Sequence, residues 1–168
     1  MVRELKARAY DVIVDDDRSG EAADVVAIRL VENVDTQTVI EVEFYHCKFS
    51  SDDTPGARVK DLYEVCGQAQ KSVSWMKSGL KRTDLFTHLL RRAAADAERR
   101  DRYEVGDRHR LQSIREMSQF CEMKLSIFVV QPGLSKAKVS SPQLELLSVA
   151  ETYLFETYQL SFGVIASP

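Results

Sequence analysis

The 168-residue chain has no apolar run approaching the roughly 20 residues that cross a bilayer as a helix, no glycine-rich phosphate loop and no internal repeat. Those absences remove a helical membrane span, a nucleotide cradle of the strand-glycine-helix kind and a solenoid from the functions to be weighed. Cysteine is scarce and odd in number, with Cys47, Cys66 and Cys121 widely spaced. Neither a disulfide framework nor a paired-cysteine zinc site is signalled, and the three thiols are expected to be reduced and mostly buried. The first residues, Met1-Val-Arg-Glu-Leu-Lys-Ala-Arg8, lack the apolar stretch of a signal peptide, so a cytoplasmic protein is expected. No nucleophile-base pair stands out, which disfavours an unrelated α/β enzyme.

A content of 44% apolar and 29% charged residues is that of a single globular domain, here 1–168, large enough to bury its own core. The net charge of −3 is unevenly spread. Residues 77–116 hold 11 Lys or Arg against 7 Asp or Glu, an excess of 4 positive charges that leaves −7 elsewhere. A polyanion has one region to approach and another to avoid.

Periodicity then orders the chain. Tyr10–Val14 reads as a short strand ended by the turn residues Asp15-Asp-Asp-Arg-Ser-Gly20. Asp24–Val31 is nearly continuous in apolar residues, as in a strand covered on both faces. A turn at Asn33–Gln37 leads to a third strand, Val39–Phe49. Alternation places Val42, Phe44, His46 and Lys48 on one side of that strand and Glu41, Glu43, Tyr45 and Cys47 on the other. After a break at Ser50–Gly56, Leu62, Val65, Ala69, Val73 and Met76 mark the apolar line of a helix over Val59–Met76, beside the polar positions Asp61, Glu64, Gln68 and Lys71.

Thr83 or Asp84 is positioned to cap a second helix, and a third is expected around Leu111–Cys121, making a helical insertion at about 80–122. A strand at Leu125–Gln131 ended by Pro132-Gly133, a helix from Ser141-Pro142 to Tyr158 and a strand at Phe162–Ala166 complete the chain. The fold class expected is α/β, a mixed central sheet of about five strands flanked by helices.

Asp24, at a strand start, and Lys48, at a strand end, offer a carboxylate for a hard cation and an ammonium for a phosphate. The plain alternatives are an edge aspartate and a lysine reaching solvent. His46 lies about 7 Å from Lys48 by strand rise, and is either a ligand or a hydrogen-bonded core histidine. Glu64 and Gln68, one helical turn apart, either lean over the end of the strand carrying Lys48 or form a solvated face with Lys71. The arginines from Arg91 to Arg110 could follow a phosphate backbone, but their interleaving with Asp96, Glu98, Asp101, Glu104 and Asp107 favours an ion-paired helix. A literal Glu-x-Lys at Glu122–Lys124 precedes its strand, and its charges read as ordinary helix-end charges.

With these residues in order, the chain resembles the PD-(D/E)XK, restriction-endonuclease-like nuclease superfamily over about Tyr10–Met76 and Leu125–Gln131. The segments Gly20-Glu-Ala-Ala-Asp24, His46-Cys-Lys48, Tyr63–Gln70 and Val130–Ser135 also look like a nuclease-like module attached to bacterial helicases of phage-defence or restriction-like systems. The resemblance implies a Mg2+ or Mn2+ site formed by Asp24, the Cys47 backbone carbonyl and a carboxylate relocated to the following helix, for which Glu64 is the candidate. Lys48 would be the catalytic lysine, with His46 and Gln68 in support and Glu21 a weaker candidate. It implies DNA as partner, with a helicase region or subunit beside it. His46 stands where the family places an acid, so the alternative expectation is an inactive nuclease-fold domain for nucleic-acid binding or protein docking.

Overall fold

The structure is a computed structural model describing residues 1–32, 38–48, 58–76, 84–96, 98 and 100–168, with the side chains of residues 76 and 84 excepted. The expected turn at 33–37, the strand end at Phe49, the break at 50–56 and a cap at Thr83 lie outside these residues. In chain order the elements are α1 (Val2–Lys6), β1 (Val12–Asp15), β2 (Val25–Val31), β3 (Val39–Cys47) and α2 (Lys60–Lys71) with a 3-10 turn at Ser72–Met76. Then come α3 (Asp84–Asp96), β4 (Tyr103–Val105), α4 (Arg108–Met117), β5 (Glu122–Ser135), α5 (Ser141–Tyr158) and β6 (Ser161–Ser167). The protein is α/β, with a mixed six-stranded sheet in the order β4-β1-β2-β3-β5-β6 flanked by helices. No helix among the described residues is long and apolar enough to cross a membrane.

Contacts group the chain into two units, Met1–Phe44 with Ser74–Leu125 and Tyr45–Val73 with Ser126–Pro168. In the first, β1 pairs antiparallel with β2, from Val12 opposite Ile28 to Asp15 opposite Val25. The first four residues of β2 are all buried, as its unbroken apolar run predicts. β4 is a strand inside the segment expected to be helical. It pairs antiparallel with β1 through Val105 opposite Ile13 and Tyr103 opposite Val14, with a register shift between them. Three residues among arginines and acids carry too short an alternation to announce a strand.

β4 turns into α4 at Gly106, whose φ of +70° is left-handed backbone. A Cβ there would press on the Asp11 carbonyl oxygen and the Val12 side chain. Gly106→Ala is therefore expected to lower unfolding free energy by roughly 2–4 kcal/mol, read by urea denaturation, because left-handed strain and overpacking act together. α4 starts earlier than the expected Leu111, since the Asp107 side chain accepts from the Arg110 amide at 2.8 Å and caps it. It ends at Met117 rather than Cys121, where the Ser118 hydroxyl donates to the Arg115 carbonyl at 2.6 Å.

In the second unit α2 ends at Lys71 rather than Met76 and buries Leu62, Val65 and Ala69 of the expected apolar line, with Cys66 added, while Val73 in the 3-10 turn that follows is only half-buried. α5 starts where Ser141-Pro142 predicts. Gln143 Oε1 accepts from the Ser140 amide and hydroxyl at 3.0 and 3.1 Å, and its Nε2 donates to the Arg58 carbonyl at 3.1 Å. β5 does not end at Pro132-Gly133 but runs to Ser135. The register with β6 shifts between Gln131 and Ser135, the kind of irregularity at which a strand tolerates proline. There the Gly133 amide donates to Gln131 Oε1 at 2.7 Å and Ser167 Oγ donates to the Pro132 carbonyl at 2.8 Å, replacing ladder bonds.

At the other end of β5, Glu122 and Lys124 belong to the strand, where both are exposed, and are not helix-end charges. Of the three cysteines Cys66 is buried, while Cys47 and Cys121 are partly exposed. Burial pushes the Cys66 thiol up to about 11.

Candidate functional site

The end of β3 brings His46, Cys47 and Lys48 to the start of the site. Backbone pairing fixes this end, with the Lys48 amide donating to the Val130 carbonyl at 3.1 Å. The Lys48 ammonium reaches Glu64 Oε2 at 2.6 Å. Glu64 points outward because the α2 period turns Leu62, Val65 and Ala69 inward. Of the two readings of this polar edge, the one in which it leans over the strand end holds for Glu64. The hydrogen bond and charge of Lys48 lower the Glu64 pKa, with a smaller contribution from Lys60.

Behind this pair lies a chain of polar contacts. His46, 3% exposed, has its Nε2 at 2.7 Å from Ser72 Oγ, and Ser72 Oγ donates to the Gln68 carbonyl at 3.2 Å. A carbonyl only accepts, so the single Ser72 proton goes to Gln68 and His46 must donate from Nε2. That leaves Nδ1 as an acceptor, buried and without a hydrogen-bond partner among the described residues, as is Gln68 Oε1. Ser72 escaped the sequence reading. Its spacing of four from Gln68 was the available signal, since it puts both on one helix face.

Burial lowers the His46 pKa to about 4. An unfolded histidine titrates near 6.5, so between these values the unfolded chain binds the extra proton. The His46 contribution is thus complete above about pH 6.5 and is lost as pH falls toward 4, by up to about 3 kcal/mol. Urea midpoints at the two ends of that window should separate more for the wild type than for His46→Gln, which cannot titrate; equal separations would contradict the assignment. Cys47, the last residue of β3, is partly exposed, with its Sγ 4.0 Å from the Tyr45 carbonyl.

Asp24 belongs to the other unit. It sits immediately before β2, and its carbonyl accepts from the Asp16 amide at 2.9 Å, closing the turn between β1 and β2. Asp17, Glu21 and Asp24 each place a carboxylate oxygen within 4.8 Å of the others, an oxygen-only donor set of the kind hard divalent cations take. Glu21 Oε2 accepts from the Arg18 amide at 2.8 Å. Burial raises the Glu21 pKa against that hydrogen bond, and the charges of Asp24, Asp17 and Asp16 add to the rise.

The basic run is committed to the same turn. Asp16, fully buried, receives Arg92 Nε at 2.5 Å and the Ala22 amide at 2.8 Å, with Arg102 at 3.7 Å. Arg102, 3% exposed, also holds Asp96 at 2.5 Å, while Arg100 forks onto Asp15 and Arg110 onto Asp11. These arginines are ion-paired, as expected, but not along an exposed helix. Four of these contacts, onto Asp11, Asp15 and Asp16, reach across the unit to β1 and the residues that flank it. No protein-family model, curated protein or solved structure matches the chain.

Proposed function

We propose that the protein is a Mg2+- or Mn2+-dependent nuclease that hydrolyses phosphodiester bonds, with DNA as its substrate and a helicase region or partner presenting the strand. The observation that carries this reading is the 2.6 Å contact of Lys48 with Glu64, a lysine at a strand end joined to a carboxylate on the following helix. It is the relocated pairing that the PD-(D/E)XK resemblance implies. In this reading Asp24, Glu64 and the Cys47 carbonyl are the groups that, as the resemblance implies, would hold the ion, with Glu21 in support of Asp24. The ion would polarise the phosphate and lower the pKa of a bound water.

The chain's own part is carried by Lys48, which orients the attacking water and offsets charge on the phosphate. Glu64 keeps one oxygen on Lys48 and offers the other. His46 and Gln68 hold the strand end and helix in register through Ser72, so both act by positioning. A cytoplasmic setting follows from such a substrate and partner.

The alternative, a nuclease fold without chemistry that binds nucleic acid or docks a protein, is favoured by His46. The residue at the family's acidic position is a buried histidine engaged by Ser72 rather than an open ligand. Titration calorimetry with Mn2+ separates the two. The nuclease reading expects a binding heat that Asp24→Asn weakens by about tenfold or more, and the docking reading expects no ion bound by either protein.

A further inference from the structure

The outer face of α2 carries an aromatic ring that the core does not use. Tyr63 is 69% exposed, and its ring meets no other ring among the described residues. The side of the helix turned inward is the opposite one, with Leu62, Val65, Cys66 and Ala69.

One helical turn beyond Tyr63 stands Gly67. A glycine inside a helix costs stability, because its backbone loses the most freedom on folding. The usual structural reasons for one are missing here: its backbone is not left-handed, and a Cβ would meet nothing within 4 Å. What glycine removes is a side chain that would lean toward the helix N-terminus and cover the Tyr63 ring. Lys71, a further turn on, is exposed and leans back toward the same gap. Tyr63, Gly67 and Lys71 thus make an aromatic wall, an open floor and a basic wall, at steps of roughly 6 Å along the axis.

The gap adjoins the pair described above. Residues three and four apart on a helix are neighbours, so Glu64 borders both Gly67 and the exposed Lys60. Glu64 is the residue that holds Lys48 at 2.6 Å.

We propose that this gap is a slot for one base of single-stranded DNA, stacked on Tyr63 over Gly67, with the adjoining phosphates on Lys60 and Lys71. The proposal deepens the nuclease reading and rests on its nucleic-acid partner. A base inside a duplex is already stacked on both faces, so only an unpaired strand can offer one to a tyrosine. The flat gap fits a planar group, and the flanking ammonium groups fit its phosphates. An apolar partner would gain nothing from the lysines, and an acidic peptide would leave the ring unused. A tyrosine face and a backbone floor read no base edge, so sequence preference should be weak. A base held here fixes which neighbouring phosphate lies at Lys48, and Tyr63 is therefore a positioning residue.

Fluorescence anisotropy of the full chain with a short labelled oligothymidylate, in EDTA so that nothing is cleaved, tests the slot. Wild type is expected to bind the single strand at least tenfold more tightly than a duplex of the same length. Tyr63→Ala should weaken binding by about tenfold, and Tyr63→Phe should restore it. Gly67→Gln should weaken binding as much while melting at or above the wild-type temperature, a combination that a purely structural role does not produce. Lys71→Ala should lower the slope of log affinity against log salt by roughly 0.7. No binding, equal binding of the duplex, or wild-type affinity in Tyr63→Ala and Gly67→Gln would overturn the proposal. Cleavage assayed in parallel with Mn2+ keeps the two readings apart. Binding sensitive at residues 63 and 67 without cleavage supports the slot and counts against the nuclease, whereas cleavage with binding indifferent to both substitutions removes the slot alone.

Discussion

Lys48→Ala is expected to abolish metal-dependent DNA cleavage, by about 100-fold to 1,000-fold or more, while leaving the fold in place. The two effects separate because the Lys48–Glu64 pair is only partly shielded, with side-chain exposures of 36% and 42%. Pairs of that kind contribute about 0–1 kcal/mol to stability, so the variant should melt close to the wild type. An ammonium aimed at a phosphate acts in the transition state, where its loss is felt in full. Lys48→Arg keeps the charge but delivers it as a broad fork from a longer side chain, and should recover only part of the rate. Cleavage unchanged in Lys48→Ala would remove the catalytic assignment, and cleavage lost together with the fold would make Lys48 a structural residue.

Asp16→Ala should have the largest effect on stability, lowering unfolding free energy by about 3–5 kcal/mol. Asp16 is fully buried against Arg92 and Arg102, and it also receives the Ala22 amide. Removing it takes the carboxylate from Arg92, 15% exposed, and leaves the buried Arg102 with the Asp96 carboxylate alone, which is far more damaging than losing a surface pair. Its neighbour Asp17 is exposed, and Asp17→Ala should stay within about 0.5 kcal/mol. Urea denaturation of the two variants side by side checks the contrast. Equal small losses would mean that the arginines are satisfied without Asp16.

What could be read in advance follows the range of the interactions concerned. α5 was legible to the residue because Ser141-Pro142 is a local signal; the apolar period of α2, local too, marked its start but ran past its end at Lys71 into the 3-10 turn at Ser72–Met76. β5 was cut short at Pro132-Gly133, where sequence sees a missing donor but not the side-chain bonds from Gln131 and Ser167 that stand in for it. β4 was hidden because its pairing with β1 is made by partners about 90 residues away. The same holds for Asp16, which looked like turn punctuation while its partner Arg92 lies 76 residues on.

At the candidate site, the strand alternation and helix period led to Lys48, Glu64, His46 and Gln68. The hydroxyl of Ser72 that links the last two was not foreseen, since serine in a helix carries little pattern of its own.

The most direct test of the metal site is anomalous diffraction from crystals grown with Mn2+. The account predicts one strong peak coordinated by the carboxylates of Asp24 and Glu64 and the carbonyl of Cys47. A peak held only by Asp17, Glu21 and Asp24, or no peak at a saturating concentration, would contradict it.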